Sequence, residues 1–239
     1  MIKVAVVGAS GRMGSEIVRL LALEDDLELV GGVEVVGHPQ IGTKVGSGAI
    51  FADLRHLLNR TDVVVDFSTP ESVIENVNLC LTYDKPFITG VTGFTAEQLK
   101  IIQDAGRKIP VVFAPNFSIG VAVLSLLASQ SAKILGTNYD IHLVEIHHKR
   151  KKDAPSGTAK LLMEKIRLAI GDKPVDVISI RTGDVIGEHR IIFGGPGERL
   201  ELVHKAESRT AFASGVITAI RWVVKQPAGF YSLADILGY

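Results

Sequence analysis

The chain opens with the stretch Ile2-Lys3-Val4-Ala5-Val6-Val7-Gly8-Ala9-Ser10-Gly11-Arg12-Met13-Gly14, which decides the fold class. The apolar, β-branched run up to Val7 predicts a strand buried on both faces. Glycines at positions 8, 11 and 14 predict a tight turn into a helix, and apolar residues from Met13 to Leu21 recur with helical spacing. The stretch therefore predicts a strand, a glycine-rich turn and a helix.

Further apolar runs alternate with helical patterns over the next hundred residues. Strands are predicted at residues 27–33, 63–67, 87–89 and 111–113. Thr69-Pro70 and the capping box of Thr95 with Gln98 predict the starts of two helices between them. This alternation predicts a Rossmann-type, doubly wound parallel sheet.

The pattern changes after residue 118. Helices are predicted at 119–135, 156–170 and 209–225, and strands at 139–147, 175–180, 190–193 and 200–203, with a turn at 194–197. Ser156 is the expected N-cap of the second of these helices and Gly171 its end. These elements predict a smaller α+β domain with a mixed or antiparallel sheet.

Composition excludes several classes of protein. The chain has 239 residues, 26 Lys plus Arg and 26 Asp plus Glu, so its net charge of zero argues against a surface built for nucleic acid or an anionic membrane. Cys80 is the only cysteine, which excludes an intrachain disulfide and a multi-cysteine zinc site. No apolar run approaches the 18 or so residues of a membrane span. We expect a soluble, cytoplasmic protein without a bound metal.

The turn Gly8–Gly14 is a G-x-x-G-x-x-G variant of the dinucleotide fingerprint. Gly8 permits the turn, Gly11 lets a pyrophosphate approach the backbone, and Gly14 lets the helix pack on the strand. Glu34 lies 20 residues past Gly14 and suits the ribose hydroxyls. The alternative is a glycine-rich turn that only packs a helix on a sheet. Phe117, beyond a later strand, is either a contact of the nicotinamide ring or a core aromatic.

The run Glu145-Ile146-His147-His148-Lys149-Arg150-Lys151-Lys152-Asp153-Ala154-Pro155-Ser156-Gly157-Thr158-Ala159 has the densest concentration of chemically active groups. Its six basic or imidazole side chains end a strand, and the helix that follows offers free N–H groups to an anion. Paired histidines suit acid catalysis near neutral pH, and both can serve one site only if the strand ends there. A solvated basic loop is the alternative. Because no aromatic residue interleaves with the charges, nucleic-acid binding is disfavoured.

The same run resembles the E-x-H-H-x-x-K-x-D-A-P-S-G-T-A signature of the 4-hydroxy-tetrahydrodipicolinate reductase (dihydrodipicolinate reductase) family. Other matching segments follow in order along the chain: Gly8–Gly14, Asp66-Phe67-Ser68, Gly90–Phe94, Ala114–Gly120, Gly187-Glu188-His189 and His204–Arg209. The resemblance implies NAD(P)H-dependent reduction of a cyclic dicarboxylate in diaminopimelate and lysine biosynthesis. It also implies a Rossmann domain at 1–118 and 209–239, and a substrate and oligomerisation domain at 119–208 that builds a homotetramer.

The resemblance also assigns site residues. His147 is the implied proton donor and Lys151 its transition-state partner, while His148, Lys151, Gly157 and Thr158 hold the carboxylates. The candidate cofactor residues are Gly8, Ala9, Gly11, Arg12, Met13, Gly14, Glu34, Gly90, Thr92, Ala114, Asn116 and Phe117. Val91 departs from the threonine common in the family. Val35-Val36 follows Glu34 where some members carry an arginine, which favours NADH over NADPH, although Arg12 could still reach a phosphate.

Two other readings fit the residues. One is a different Rossmann oxidoreductase of aspartate-family metabolism, such as a homoserine dehydrogenase. The other is a non-catalytic NAD(P) sensor. A sensor needs no proton donor, so the His147–Lys151 constellation beside an anion site disfavours it.

Overall fold

The computed structural model describes residues 1–171 and 173–238. In chain order these form β1 (Ile2–Val7), α1 (Gly14–Leu21), β2 (Leu27–Val33), β3 (Lys44–Val45), β4 (Gly48–Phe51), α2 (Arg55–Leu58), β5 (Val63–Asp66), α3 (Pro70–Tyr83), β6 (Phe87–Thr89), α4 (Ala96–Ala105), β7 (Pro110–Phe113), α5 (Ile119–Leu135), a 3₁₀ turn (Gly136–Asn138), β8 (Asp140–His147), α6 (Gly157–Ile170), β9 (Asp176–Arg181), β10 (Gly187–Gly195), β11 (Glu198–Ala206), α7 (Thr210–Val223), β12 (Gly229–Tyr231) and α8 (Leu233–Leu237).

The chain divides into two compact units. One comprises Met1–Phe117 together with the segment from Phe212 onward, and the other is the continuous segment Ser118–Ala211. No helix in the described ranges is both long and apolar enough to cross a membrane.

The first unit is built on an eight-stranded sheet in the order β12-β7-β6-β5-β1-β2-β4-β3. All neighbouring strands are parallel except β3 and β4. Val4, Ala5 and Val6 in β1 are completely buried, as a strand covered on both faces requires. The strand order reverses between β1 and β5, and such a switch point is where open α/β sheets bind ligands.

The predicted helix starts in this unit are present. Thr69 caps α3 by accepting the Ser72 N–H, with Pro70 as the first helical residue. Thr95 and Gln98 form the predicted capping box of α4. These caps satisfy N–H groups that a helix leaves unpaired, which explains why α3 and α4 begin where they do.

The second unit is built on a four-stranded mixed sheet in the order β11-β10-β8-β9. The pair β8–β9 is parallel and joined through α6, whereas β10 runs antiparallel to both β8 and β11. Leu124, Leu143, Leu162, Ile191 and Phe193 belong to the core that α5 and α6 form with one face of this sheet. The predicted fold class, a doubly wound parallel sheet with a smaller mixed-sheet domain, is confirmed.

Candidate functional site

The glycine-rich turn after β1 has the geometry that its sequence predicts. Gly8 has φ +71°, a left-handed conformation that residues with a Cβ avoid. A Cβ on Gly14 would lie 1.9 Å from the Gly8 carbonyl oxygen, so only glycine lets α1 start this close to the turn. Gly11 is exposed, and its Cβ would meet the Gly8 oxygen at 3.2 Å. Gly8 and Gly14 therefore serve packing, while Gly11 leaves backbone open to a ligand.

Glu34 lies directly after β2 and turns back to this loop. Its Oε1 accepts the Ser10 N–H at 2.6 Å, so the carboxylate stands beside the turn between Gly8 and Gly14. Val35 and Val36 are 73% and 81% exposed, which presents apolar surface next to the acid. An acceptor-only carboxylate here fits ribose hydroxyls and repels a phosphate.

The remaining cofactor candidates lie at the ends of β6 and β7. Gly90 is closely covered, because its Cβ would lie 2.4 Å from the Phe67 ring and 3.1 Å from the Phe117 ring. Phe117 is 2% exposed. Its side chain is therefore better described as a core aromatic than as an open contact of a nicotinamide ring. Ala114 is buried, Asn116 half-buried and Thr92 exposed. Of this set, Thr92 has the most accessible side chain.

Packing explains why position 91 is a valine. It is 8% exposed and belongs to the apolar core of the first unit, which includes Val64, Phe87 and Val111. A hydroxyl here would need a buried hydrogen-bond partner. The valine that replaces the threonine common in the family therefore suits its apolar surroundings.

The two glycines of the turn give a matched pair of variants. We expect Gly14→Ala to lower the free energy of unfolding by about 1–3 kcal/mol and to weaken NADH binding, because its methyl group must displace the Gly8 carbonyl. Gly11→Ala, whose Cβ would meet the Gly8 oxygen at 3.2 Å rather than 1.9 Å, is expected to lower the free energy of unfolding less than Gly14→Ala while still weakening NADH binding. Urea unfolding and nicotinamide fluorescence measure the two effects. Wild-type stability in Gly14→Ala would contradict the packing role.

In the second unit, β8 ends at His147, as a shared site for the two histidines requires. His147 is 8% exposed, and a Cβ on Gly187 would lie 3.1 Å from its Nε2, so this glycine leaves the Nε2 edge uncovered. His148 is half-buried, and its Nδ1 is buried without a hydrogen-bond partner among the described groups. Lys151 Nζ lies 2.8 Å from an Asp153 carboxylate oxygen and is 22% exposed. The loop after β8 thus contains both a histidine nitrogen without a hydrogen-bond partner in the part of the chain that the structure describes and a lysine cation.

Helix α6 begins immediately after this loop. Ser156 is its N-cap, as predicted, and its Oγ accepts the Ala159 N–H at 3.1 Å. Gly157 is exposed and has open space around its Cα, while Thr158 is half-buried. The first-turn N–H groups and the positive end of the helix dipole suit a carboxylate at this position.

A buried ion pair lies behind His147. The Glu145 carboxylate is completely buried and binds Arg181 through two hydrogen bonds, Nη1 to Oε2 at 2.9 Å and Nη2 to Oε1 at 2.6 Å. His147 Nδ1 is hydrogen-bonded to Glu145 Oε2. Burial raises the pKa of Glu145, but hydrogen bonds from Arg181, Ser179 and His147 outweigh it and lower the pKa to about 2. Glu145 is therefore ionised throughout the neutral range.

Polar residues form a row across the inner face of this sheet. The strand register aligns Ser179, Glu145, His189 and His204 across β9, β8, β10 and β11. His189 Nε2 lies 3.2 Å from Ser156 Oγ, and His204 Nε2 lies 3.2 Å from the hydroxyl of Ser118, the N-cap of α5. Burial lowers the pKa of His189 to about 3, with the charge of His147 acting in the same direction. Neutral histidines thus anchor both helix starts on the sheet.

The structure brings the candidate residues into two groups. The twelve cofactor candidates lie in the first unit, and His147, His148, Lys151, Gly157 and Thr158 lie in the second. Sequence reasoning gave no role to Glu145, Arg181 or His189. Period two along the strand could have placed Glu145 on the face of His147, because residues two apart in a strand share a face.

Comparison with known proteins completes the description of the site. Two family models, described as dihydrodipicolinate reductase N-terminus and C-terminus, match residues 2–117 and 120–237. A curated protein of Anaeromyxobacter sp. (strain Fw109-5), named 4-hydroxy-tetrahydrodipicolinate reductase, is 43% identical over 100% of this chain and 98% of its own. One of the same name from Syntrophus aciditrophicus is 38% identical over 100% and 99%.

Solved structures agree at the level of the whole chain. Dipicolinate-bound dihydrodipicolinate reductase from Paenisporosarcina sp. TG-14 superposes with a TM-score of 0.84 at 28% identity, covering 98% of each chain. A probable dehydrogenase from Thermotoga maritima superposes with a TM-score of 0.70 at 13% identity, covering 98% of this chain and 92% of its own. The second likeness concerns the fold alone.

Proposed function

Because the chain belongs to the dihydrodipicolinate reductase family, we propose that it reduces 4-hydroxy-tetrahydrodipicolinate to tetrahydrodipicolinate, with His147 as proton donor. Members of this family are NAD(P)H-dependent oxidoreductases of diaminopimelate and lysine biosynthesis, and membership therefore makes this chain such an oxidoreductase. The observation that carries the proposed substrate and the role of His147 is the end of β8, where a buried histidine and a cationic loop precede the start of α6, whose N–H groups suit an anion.

The second unit offers two kinds of carboxylate contact. The N–H groups of Gly157 and Thr158 would bind one carboxylate of the substrate, helped by the dipole of α6. Lys151 and His148 would bind the other. Supporting this, the dihydrodipicolinate reductase from Paenisporosarcina is described as dipicolinate-bound, and dipicolinate is a small dicarboxylate.

The 4-hydroxyl group of the substrate first leaves as water together with a neighbouring ring hydrogen, which creates a C=C bond conjugated with the ring C=N. Hydride addition to the far carbon of this conjugated system then requires a proton to complete the reduction. The nicotinamide supplies that hydride when it is bound. His147 Nε2 would donate the proton, and Lys151 would stabilise the negative charge that develops on the ring before protonation. Burial lowers the pKa of His147, and Glu145 partly opposes this by favouring the protonated form. The histidine therefore releases its proton more readily than an exposed one.

The first unit would hold the dinucleotide. The open backbone at Gly11 and the N-terminus of α1 would bind the pyrophosphate, with Arg12 and Met13 beside it. Glu34 would accept the ribose hydroxyls. We propose NADH as the preferred cofactor, because Glu34 and the exposed Val35 and Val36 provide no cation for a 2′-phosphate. The substrate-binding role of residues 119–208 and the cytoplasmic location stay predictions.

The second sheet has an uncovered face that suits self-association. Ile178, Ile180 and Val203 on this face are 53%, 39% and 44% exposed, interspersed with the ion pairs of Glu188 and Arg190 to β11. Subunit interfaces combine an apolar core with a polar rim, and exposed apolar side chains on a sheet face are candidates for such a core. We propose that this face takes part in the homotetramer that the family resemblance implies.

The function is tested by nicotinamide absorbance during turnover, with substrate made in situ by a synthase from pyruvate and aspartate semialdehyde. We expect rapid oxidation that depends on the synthase and is faster with NADH than with NADPH. Synthase-dependent oxidation that is faster with NADPH would contradict the cofactor proposal. No oxidation by folded, NADH-binding protein would contradict the proposed reaction.

A further inference from the structure

We propose that Glu145 is the positioning residue of the proton donor: its carboxylate, held by Arg181, accepts the Nδ1–H of His147 and presents Nε2 as the nitrogen that transfers the proton. The inference rests on the proposed function, because it gives the donor of that reaction its orientation. Glu145 acts through His147 and is assigned no contact with the substrate.

The carboxylate is held rigidly. Arg181 donates a hydrogen bond to each oxygen of the Glu145 carboxylate. The same guanidinium also donates to the carbonyl oxygens of Ile180 at 2.8 Å and Asp153 at 2.6 Å. Glu145 Oε1 also accepts the Ser156 N–H at 3.3 Å. One buried carboxylate therefore joins the donor histidine to β9, to the loop after β8 and to the start of α6.

The identity of the bonded atoms sets the tautomer of His147. An ionised carboxylate can only accept hydrogen bonds, so Nδ1 must carry the hydrogen that points at Glu145. Nε2 is then the nitrogen that gains and loses the proton. Because Gly187 has no side chain, the Nε2 edge of the His147 ring is left uncovered.

Among the charged groups around His147, Glu145 has a distinct effect on the pKa of the histidine. Arg181 on β9, His189 on β10 and Lys151 in the loop after β8 face the ring, together with Glu145 on its own strand. Burial lowers the pKa of His147; Glu145 raises it through its hydrogen bond and charge, and Lys151 and Arg181 lower it. Of these groups, Glu145 is the one that keeps a proton on the donor.

Glu145→Gln tests the proposal, because the amide oxygen can still accept from Nδ1–H but the negative charge is gone. We expect the pKa of His147 to fall, because the charge that favours its protonated form is removed, and the protonated fraction at neutral pH falls with it. The falling limb of the pH dependence of kcat should move to lower pH, with kcat at pH 7.5 reduced about 10- to 100-fold and NADH affinity unchanged.

Two further measurements separate positioning from folding. Nitrogen-15 NMR of labelled histidine, with His147 assigned by His147→Gln, should show an Nδ1–H tautomer in the wild type and a lower pKa in Glu145→Gln. The double variant Glu145→Gln/Arg181→Gln removes both buried charges, so it should regain stability while turnover stays low. An unchanged His147 titration in Glu145→Gln, or full recovery of kcat in the double variant, would overturn the proposal.

The outcomes also distinguish this inference from the proposed function. If the wild type oxidises no cofactor with the substrate, the proposed reaction fails, yet the NMR titration still shows whether Glu145 controls the tautomer and the pKa of His147. If the wild type turns over and the titration is insensitive to Glu145→Gln, the reaction stands and the positioning role is wrong.

Discussion

His147→Gln is expected to slow turnover about 10²–10⁴-fold, the usual contribution of a positioned general acid. Glutamine has a side chain of comparable reach and can still bond to Glu145, but it has no proton to release near neutral pH. Lys151→Ala should also slow turnover by orders of magnitude, since it removes the cation that we propose stabilises the developing charge. NADH binding should survive in both variants, because the cofactor candidates all lie in the first unit.

Single-turnover absorbance measures the chemical step, and nicotinamide fluorescence measures NADH affinity. Lys149→Ala is the matched control. It removes an exposed cation from the same run, and the backbone hydrogen bond of Lys149 to Gly183 does not depend on the side chain. We expect the control to turn over within about twofold of wild type. Wild-type rates in both His147→Gln and Lys151→Ala would refute the role assignment.

Arg181→Leu is expected to cost about 3–5 kcal/mol of unfolding free energy at neutral pH, because it leaves the Glu145 carboxylate buried without its cation. Arg150→Leu provides the comparison. Arg150 and Asp184 form an ion pair of 2.9 Å, but their side chains are 68% and 78% exposed. Because solvent screens such a pair, its loss should cost no more than about 1 kcal/mol.

The loss of unfolding free energy in Arg181→Leu should depend on pH in a defined direction. In the wild type, the pKa of Glu145 lies at about 2 against an ordinary value of 4.5. Its contribution to stability is therefore present above pH 4.5 and is lost as the pH falls towards 2. Without Arg181, burial raises the pKa of Glu145, so this carboxylate is neutralised at a higher pH in the variant. The difference in unfolding free energy between wild type and variant should therefore become smaller on acidification. Urea unfolding followed by circular dichroism at pH 7 and pH 4 measures it, and a deficit that grows at pH 4 would contradict the ion-pair explanation.

Local chemistry made much of the fold predictable. The strand at 27–33, the strand at 87–89 and the helix at 119–135 have the predicted bounds. The N-caps at Thr69, Thr95 and Ser156 are also confirmed, because capping depends on residues within one helical turn. Five α-helices and β-strands were missed, namely β3, β4, α2, β12 and α8. None exceeds five residues, so hydrophobic periodicity had too few positions to reveal them.

The buried support of the site could not be predicted in the same way. Arg181 is 36 residues from Glu145 and reaches it because β9 pairs with β8 in parallel, with Arg181 opposite His147. The predicted strand stopped at residue 180, which left Arg181 in a loop. The predicted turn at 194–197 was also too long, since β10 continues through Gly195 and leaves two residues for the turn. Register depends on tertiary packing, which no local pattern reports.

The interrupted first unit has a consequence for synthesis on the ribosome. Edge strand β12 pairs with β7, and Gly215 of α7 fits against the Phe117 carbonyl so closely that a Cβ would lie 1.8 Å from it. Residues 1–117 leave the ribosome before α7 and β12 do, so they lack this helix and strand until the segment from Phe212 onward has emerged. The segment Ser118–Ala211 is continuous and emerges whole before then. The order of completion is thus the reverse of the usual N-terminal-first order, and the nascent chain carries an unfinished first unit while its second unit is already complete.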